Sequence, residues 1–89
     1  MRPRAVSPQK AFGARIRELR QAQGWTQEDL AERCGLFRTY MSRIETGNAN
    51  PTLTMIHALA ASLRVPVTAL FEADEMAKGE SKRAGTAKQ

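Results

Sequence analysis

The sequence predicts an all-α domain of five short helices, and three observations point there. Apolar residues recur at helical spacing in successive stretches, beginning with Phe12, Ile16 and Leu19 at i, i+4 and i+7. Glycine or proline punctuates the chain between those stretches, at Gly24, Gly35, Gly47, Pro51 and Pro66. No stretch carries the apolar–polar alternation of a half-buried strand.

The 89 residues leave room for one small domain. Such a domain buries only ~60% of the surface its unfolded chain exposes, so its core must be economical. A hydrophobic content of 42% is enough for that core, though not along the whole length. We expect an N-terminal arm over residues 1–8, a folded domain over 9–72 and a polar, disordered tail over 73–89.

The arm carries Pro3, Pro8, Arg2 and Arg4 and shows no apolar period. A terminus without a role is the simpler reading; contact of Arg2 and Arg4 with a DNA minor groove is the alternative. The first helix should run from Gln9 to about Gln23 and stop at Gly24, which can take positive φ. The second starts at Thr26, a good N-cap, with Asp29 three residues on in a capping-box arrangement. Trp25 and Leu30 are placed to form a hydrophobic staple across that start. Leu30, Ala31 and Cys34 form the inner face, and Gly35 closes the helix.

The third helix should span Arg38 to Glu45, with Met41 and Ile44 inward and Leu36 plugging the turn before it. Phe37 falls at its N-cap, where Ser, Thr, Asp or Asn is usual, a departure that should cost ~1 kcal/mol unless the ring packs somewhere useful. Residues 48–50 are a loop whose exit Pro51 fixes. The fourth helix spans Thr52 to Leu63, with Leu53, Ile56, Leu59, Ala60 and Leu63 inside. Pro66 suits the first position of a fifth, running to Phe71, with Val67, Leu70 and Phe71 apolar. After Ala73 the chain is polar, charged and without aromatic residues, as disordered segments are.

Charge narrows the function. The formal net charge is +5, and a basic small protein is predisposed to bind polyanions through counterion release. The single cysteine, Cys34, forms no internal disulfide and fits a reducing cytosol. No zinc-type Cys/His spacing, nucleophile–base pair, carboxylate pair or phosphate loop is present, so we expect no enzyme, no cofactor and no metal. No apolar run approaches the ~20 residues that span a bilayer. We therefore expect a cytoplasmic, nucleoid-associated protein with no membrane partner.

The second and third helices, joined by a glycine-containing turn, have the helix-turn-helix pattern. A helix fits the major groove of B-DNA and shows base edges the side chains of its first turns. The outward positions of the third helix are Arg38, Thr39, Ser42 and Arg43, and no acid occurs from Leu36 until Glu45.

At these residues the chain resembles a known family. TQEDLAERCGL, MSRIETG, PTL and ALAASLRV, with GARIRELR ahead of them, are similar to Cro/repressor-type helix-turn-helix domains, the xenobiotic-response-element family. The likeness covers roughly Phe12 to Phe71. The variant FRTYMSRIE is similar to controller proteins of restriction–modification systems, although Arg-Thr-Tyr also occurs in general regulators.

The resemblance implies roles by register. Gln27, at the start of the second helix, grips a phosphate in the family, although a Gln there is also a plain cap. Arg38 takes the first reading position, where arginine can bond guanine O6 and N7 together. Thr39 is the second, offering its methyl to thymine or its hydroxyl to a base or phosphate. Arg43 is the third, with Ser42 beside it. Tyr40, Thr46, Asn48 and Asn50 suit the phosphate backbone, adding register without sequence readout. Tyr40 packing on Ile44, and Asn48 and Asn50 as turn residues, are the structural alternatives. Arg20 and Glu45 match positions that form an internal salt bridge in related domains.

One reading helix covers too few base pairs for genomic specificity, so we expect a homodimer with recognition helices ~34 Å apart on a palindromic site. Val65, Val67, Leu70 and Phe71, with Met55, are the expected interface, since they exceed what a five-helix monomer core needs, though some must cap that core. The expected partners are double-stranded DNA, a second copy of the chain and RNA polymerase. The rival reading is an antitoxin-type interaction module whose tail docks a partner, with DNA binding secondary. Met76 is the only large apolar residue of that tail, which argues against it.

Overall fold

Four α-helices and a closing 3-10 turn make up the fold seen in a computed structural model of the protein, which describes residues 7–72. The helices are α1 (Pro8–Ala22), α2 (Gln27–Cys34), α3 (Arg38–Glu45) and α4 (Leu53–Leu63), and the 3-10 turn is Val67–Phe71. No strand occurs among the described residues. The expectations for Arg2, Arg4 and the tail from residue 73 lie outside them.

Local chemistry accounts for each start. Ser7 caps α1, its hydroxyl accepting the Lys10 amide at 3.1 Å, with Pro8 in the first turn. The helix therefore begins one residue before the expected Gln9, inside the stretch read as an arm. Thr26 and Asp29 form the reciprocal capping box of α2, at 3.0 and 2.9 Å. The Thr26 backbone amide, and after it the Thr26 hydroxyl, hold the Asp29 carboxyl below its ordinary value. Gly35 ends α2 with φ of 72°, a conformation that side chains disfavour. Thr52 caps α4 through the Met55 amide at 3.1 Å.

The core joins all the elements. Phe12 and Ile16 of α1, Leu30 of α2, Met41 and Ile44 of α3, Leu59 and Leu63 of α4, and Leu70 form one buried cluster. Each such side chain gives about 1.5–3 kcal/mol on burial. Leu36 and Trp25 pack against it from the turns. The Arg33 guanidinium lies 4.0 Å over the Trp25 ring, holding the start of α2 to its last turn. Cys34 is half-buried, its thiol bonded to Ser62 at 3.4 Å; burial raises its pKa, opposed by the smaller effect of the Ser62 hydrogen bond.

Two expectations need correction. The fifth element is a 3-10 turn, with Pro66 at its N-cap rather than inside it. Five residues are too few to repay α-helix nucleation, and tighter i to i+3 bonding suits a short closing piece. Leu53, placed inside by its spacing, is 70% exposed. It is the first residue of α4, and its side chain faces solvent while Met55 and Ile56 of the same turn pack against the core.

Two features were not visible in the pattern. Arg15, off the apolar stripe of α1, donates from Nε to the Ala69 carbonyl at 2.7 Å and pairs with Glu18 at 2.7 Å. It thereby ties the 3-10 turn to α1. Gly13, mid-helix, is buried against the end of α3. A Cβ there would collide with the Ile44 carbonyl oxygen and come within 2.8 Å of that of Glu45.

Gly13→Ala tests this close approach. In an open helix the change is worth about 1 kcal/mol of added stability. Here the added methyl should force α1 off α3 and cost about 1–3 kcal/mol in urea unfolding. A midpoint equal to or above that of the parent protein contradicts the contact.

Candidate nucleic-acid interface

The side chains expected to meet DNA stand on α3, in the loop that follows it and, for Gln27, at the start of α2. Arg38, Thr39 and Arg43 are exposed and Ser42 is half-buried, so the four form one outward edge. Met41 and Ile44, on the opposite face, are buried and anchor the helix. Among the described residues neither Arg38 nor Arg43 makes an ion pair or a side-chain hydrogen bond. Both cations are therefore free to meet an anion or a base edge.

The one acid of α3 is removed from that edge. Glu45 is buried, and its carboxylate accepts three hydrogen bonds. Arg20 donates from Nε at 2.6 Å and from Nη2 at 3.0 Å, and Gln27 donates from Nε2 at 3.0 Å. The remaining Arg20 nitrogen, Nη1, reaches the Trp25 carbonyl at 2.7 Å. This pairing is the Arg20–Glu45 bridge that the resemblance implied, and it is built as a fork-to-fork contact. It locks the end of α3 to α1 and to the start of α2. A buried ion pair adds little net stability over apolar packing, but its bonds are directional and so fix orientation.

Gln27 thus does something that register alone did not disclose. One Nε2 proton is spent on Glu45, and the side chain sits half-buried at the α2 start. Its second Nε2 proton is left for an outside acceptor.

The residues after α3 are partly engaged with one another. The Thr46 hydroxyl donates to the Ser42 carbonyl at 3.0 Å and accepts from the Asn48 side-chain Nδ2 at 2.9 Å. These bonds close the helix end and shape the loop. Asn50 is exposed and makes no side-chain bond among the described residues. Tyr40 is half-buried and packs against the core. Phe37 caps nothing: no side-chain bond closes the start of α3, and the ring is 85% exposed.

The expected dimer surface divides. Val65, Val67 and Met55 are half-buried and lie against the core. Phe71 is 61% exposed, with its ring 5.3 Å from that of Phe12. Leu70 has no exposed surface: it fills the protomer's own core and is withdrawn from the interface set. Leu70 is thus one of the apolar residues of the closing turn that cap the core, while Phe71 beside it stays exposed. No described helix is long and apolar enough to cross a membrane.

Known proteins share this arrangement. A family model described as a helix-turn-helix domain matches residues 11–73. The immunity repressor protein of Bacillus phage phi105 is 35% identical over 68 residues, 76% of this chain and 47% of that protein. The chain thus spans about half the length of that relative. The crystal structure of the restriction-modification controller protein C.AhdI from Aeromonas hydrophila superposes with a TM-score of 0.68 at 44% identity, over 70% of this chain and 94% of that one. A tetramer of the controller protein C.Esp1396I, in complex with its natural 35 base-pair operator, aligns with a TM-score of 0.67 at 31% identity. That match covers 75% of this chain and 88% of the other.

The clamp on α3 is open to direct test. Glu45→Ala leaves the Arg20 guanidinium buried beside an empty site and should cost about 3–5 kcal/mol in urea unfolding. Replacing both charges, with Arg20→Met and Glu45→Met, should restore most of that loss. A single variant within about 0.5 kcal/mol of the parent would show that the pair constrains nothing.

Proposed function

This chain belongs to the helix-turn-helix domain family, and we propose that it is a sequence-specific transcriptional regulator that reads operator DNA through the major groove. The observation that carries this is the acid-free edge of α3, with Arg38 and Arg43 unpaired and Glu45 turned into the core. Such an edge has no internal use. It attracts a polyanion and offers bidentate donors to base edges.

In this reading α3 lies in the major groove with its first turn foremost. Arg38 donates to guanine O6 and N7, Thr39 meets a thymine methyl or a neighbouring phosphate, and Arg43 and Ser42 reach bases one turn further along. Gln27 offers its second amide proton to a phosphate. Tyr40, Thr46, Asn48 and Asn50 line the backbone on the other side, Thr46 and Asn48 as a bonded pair. None of these contacts needs a cofactor or metal, because the energy comes from counterion release and hydrogen bonding.

A lone α3 discriminates over too few base pairs, so the protein acts as a homodimer on a palindromic site. Val65, Val67 and Phe71 provide the apolar surface for pairing. Regulation follows from operator occupancy in the cytoplasm, on the nucleoid. Bound at one place the dimer blocks RNA polymerase; bound at another it presents a surface to it. The similarity to two restriction-modification controller proteins, one of them with its operator, supports control of a restriction–modification operon as the specific role.

Enrichment of bound duplexes from a random pool tests the proposal. The parent chain should return a two-fold symmetric site. Arg38→Ala should lose about 1–3 kcal/mol of discrimination at a G·C pair in each half. Gln27→Ala should weaken all duplexes alike. An Arg38→Ala variant that enriches the same site with undiminished preference removes Arg38 from the reading edge.

A further inference from the structure

Phe37 is the residue of the reading edge that no stabilising role explains. Its ring is 85% exposed, more than Leu53 or Phe71, the other exposed large apolar side chains described. It occupies the N-cap of α3 yet closes none of its amides. A Ser or Thr there would accept from one of those amides and stabilise the helix. The protein therefore carries a solvent-facing aromatic ring at a position where the ring weakens the fold.

The place of the ring says what it can meet. It immediately precedes Arg38, at the end of α3 that leads into the groove in helix-turn-helix domains. Bases present donors and acceptors in the major groove, and a single apolar group, the C5-methyl of thymine. An exposed phenyl ring flanked by Arg38 gains nothing from a phosphate or a guanine edge. It gains from covering a methyl.

We infer that Phe37 is a specificity-determining residue that packs on a thymine C5-methyl beside the guanine read by Arg38. The inference deepens the operator-reading proposal and rests on it. The Phe37 contact reads one further base without a hydrogen bond, by shielding from water both the ring and the methyl. Thr39 has a methyl of its own, so the two residues must be separated experimentally.

The experiment uses the full chain and the site it enriches from random duplexes. Each thymine of that site is replaced in turn by uracil, which removes the methyl and leaves every hydrogen-bonding group. For one thymine per half-site, the parent should bind the uracil duplex about fourfold more weakly, the effect of one buried carbon. Phe37→Ser should bind the thymine and uracil duplexes equally. The same variant should melt about 4–8 °C higher, because it gains the missing cap, and this shows that it is folded. Thr39→Ser should keep the parent's thymine preference at that base. Three outcomes overturn the assignment: no uracil duplex is disfavoured by the parent; Phe37→Ser retains the preference; or Phe37→Ser binds DNA as the parent does but changes its oligomeric state in light scattering, which gives the ring to a protein contact. A parent chain that enriches no sequence would instead overturn the operator-reading proposal beneath it.

Discussion

The Glu45 carboxylate and the donors that converge on it hold the rest of the structure in register. Arg20 brings α1 to it, Gln27 brings the start of α2, and the Trp25 carbonyl takes the last Arg20 nitrogen. Apolar packing alone tolerates small slides of one helix on another. Charged, bidentate bonds do not, because buried donors and acceptors lose heavily when misaligned. Gly13 adds a steric constraint at the same place, since α1 can approach the last carbonyls of α3 only without a side chain there. Both devices act on an eight-residue helix that is too short to be rigid by itself.

The same carboxylate has an electrostatic consequence. α3 must end somewhere, and its final acid is kept off the outward face by being consumed inside. What remains outside is cationic or neutral. Orientation and surface charge are thus set by one buried group. Phe37 shows the opposite trade at the other end of the helix, where local stability is given up at a position that faces outward. Departures from local rules of this kind are expected at functional sites.

Much of this was legible from residue order, because short-range rules dominate helix starts and stops. Thr26 with Asp29, Gly35, and the Met41–Ile44 pair each predicted their element from a few neighbouring residues. The outward set of α3 followed from the same period. What escaped depended on distance along the chain. Arg15 reads as a surface residue until Ala69, 54 positions away, turns out to accept from it. Gly13 reads as a poor helix former until the α3 carbonyls are placed beside it. Leu53 satisfies the apolar spacing of α4, yet spacing cannot tell how far the core extends beneath the first turn. Leu70 was misplaced because apolar character alone cannot tell which side chains of the closing turn fill the protomer's own core and which are left over for a partner. The inward bond of Gln27 was hidden for a different reason: one amide can serve both a buried carboxylate and an outside acceptor.

The central claim is that α3, clamped through Glu45, enters the major groove with Arg38 on guanine. Methylation interference on the enriched duplex reads this most directly, since N7 of guanine lies in the major groove and N3 of adenine in the minor. The expected result is a block to binding by N7 methylation at one or more guanines in each half-site, in two clusters about one helical turn apart. That block should be lost at one guanine per half in Arg38→Ala. Interference confined to adenine N3, or none at any guanine, would contradict major-groove reading by α3.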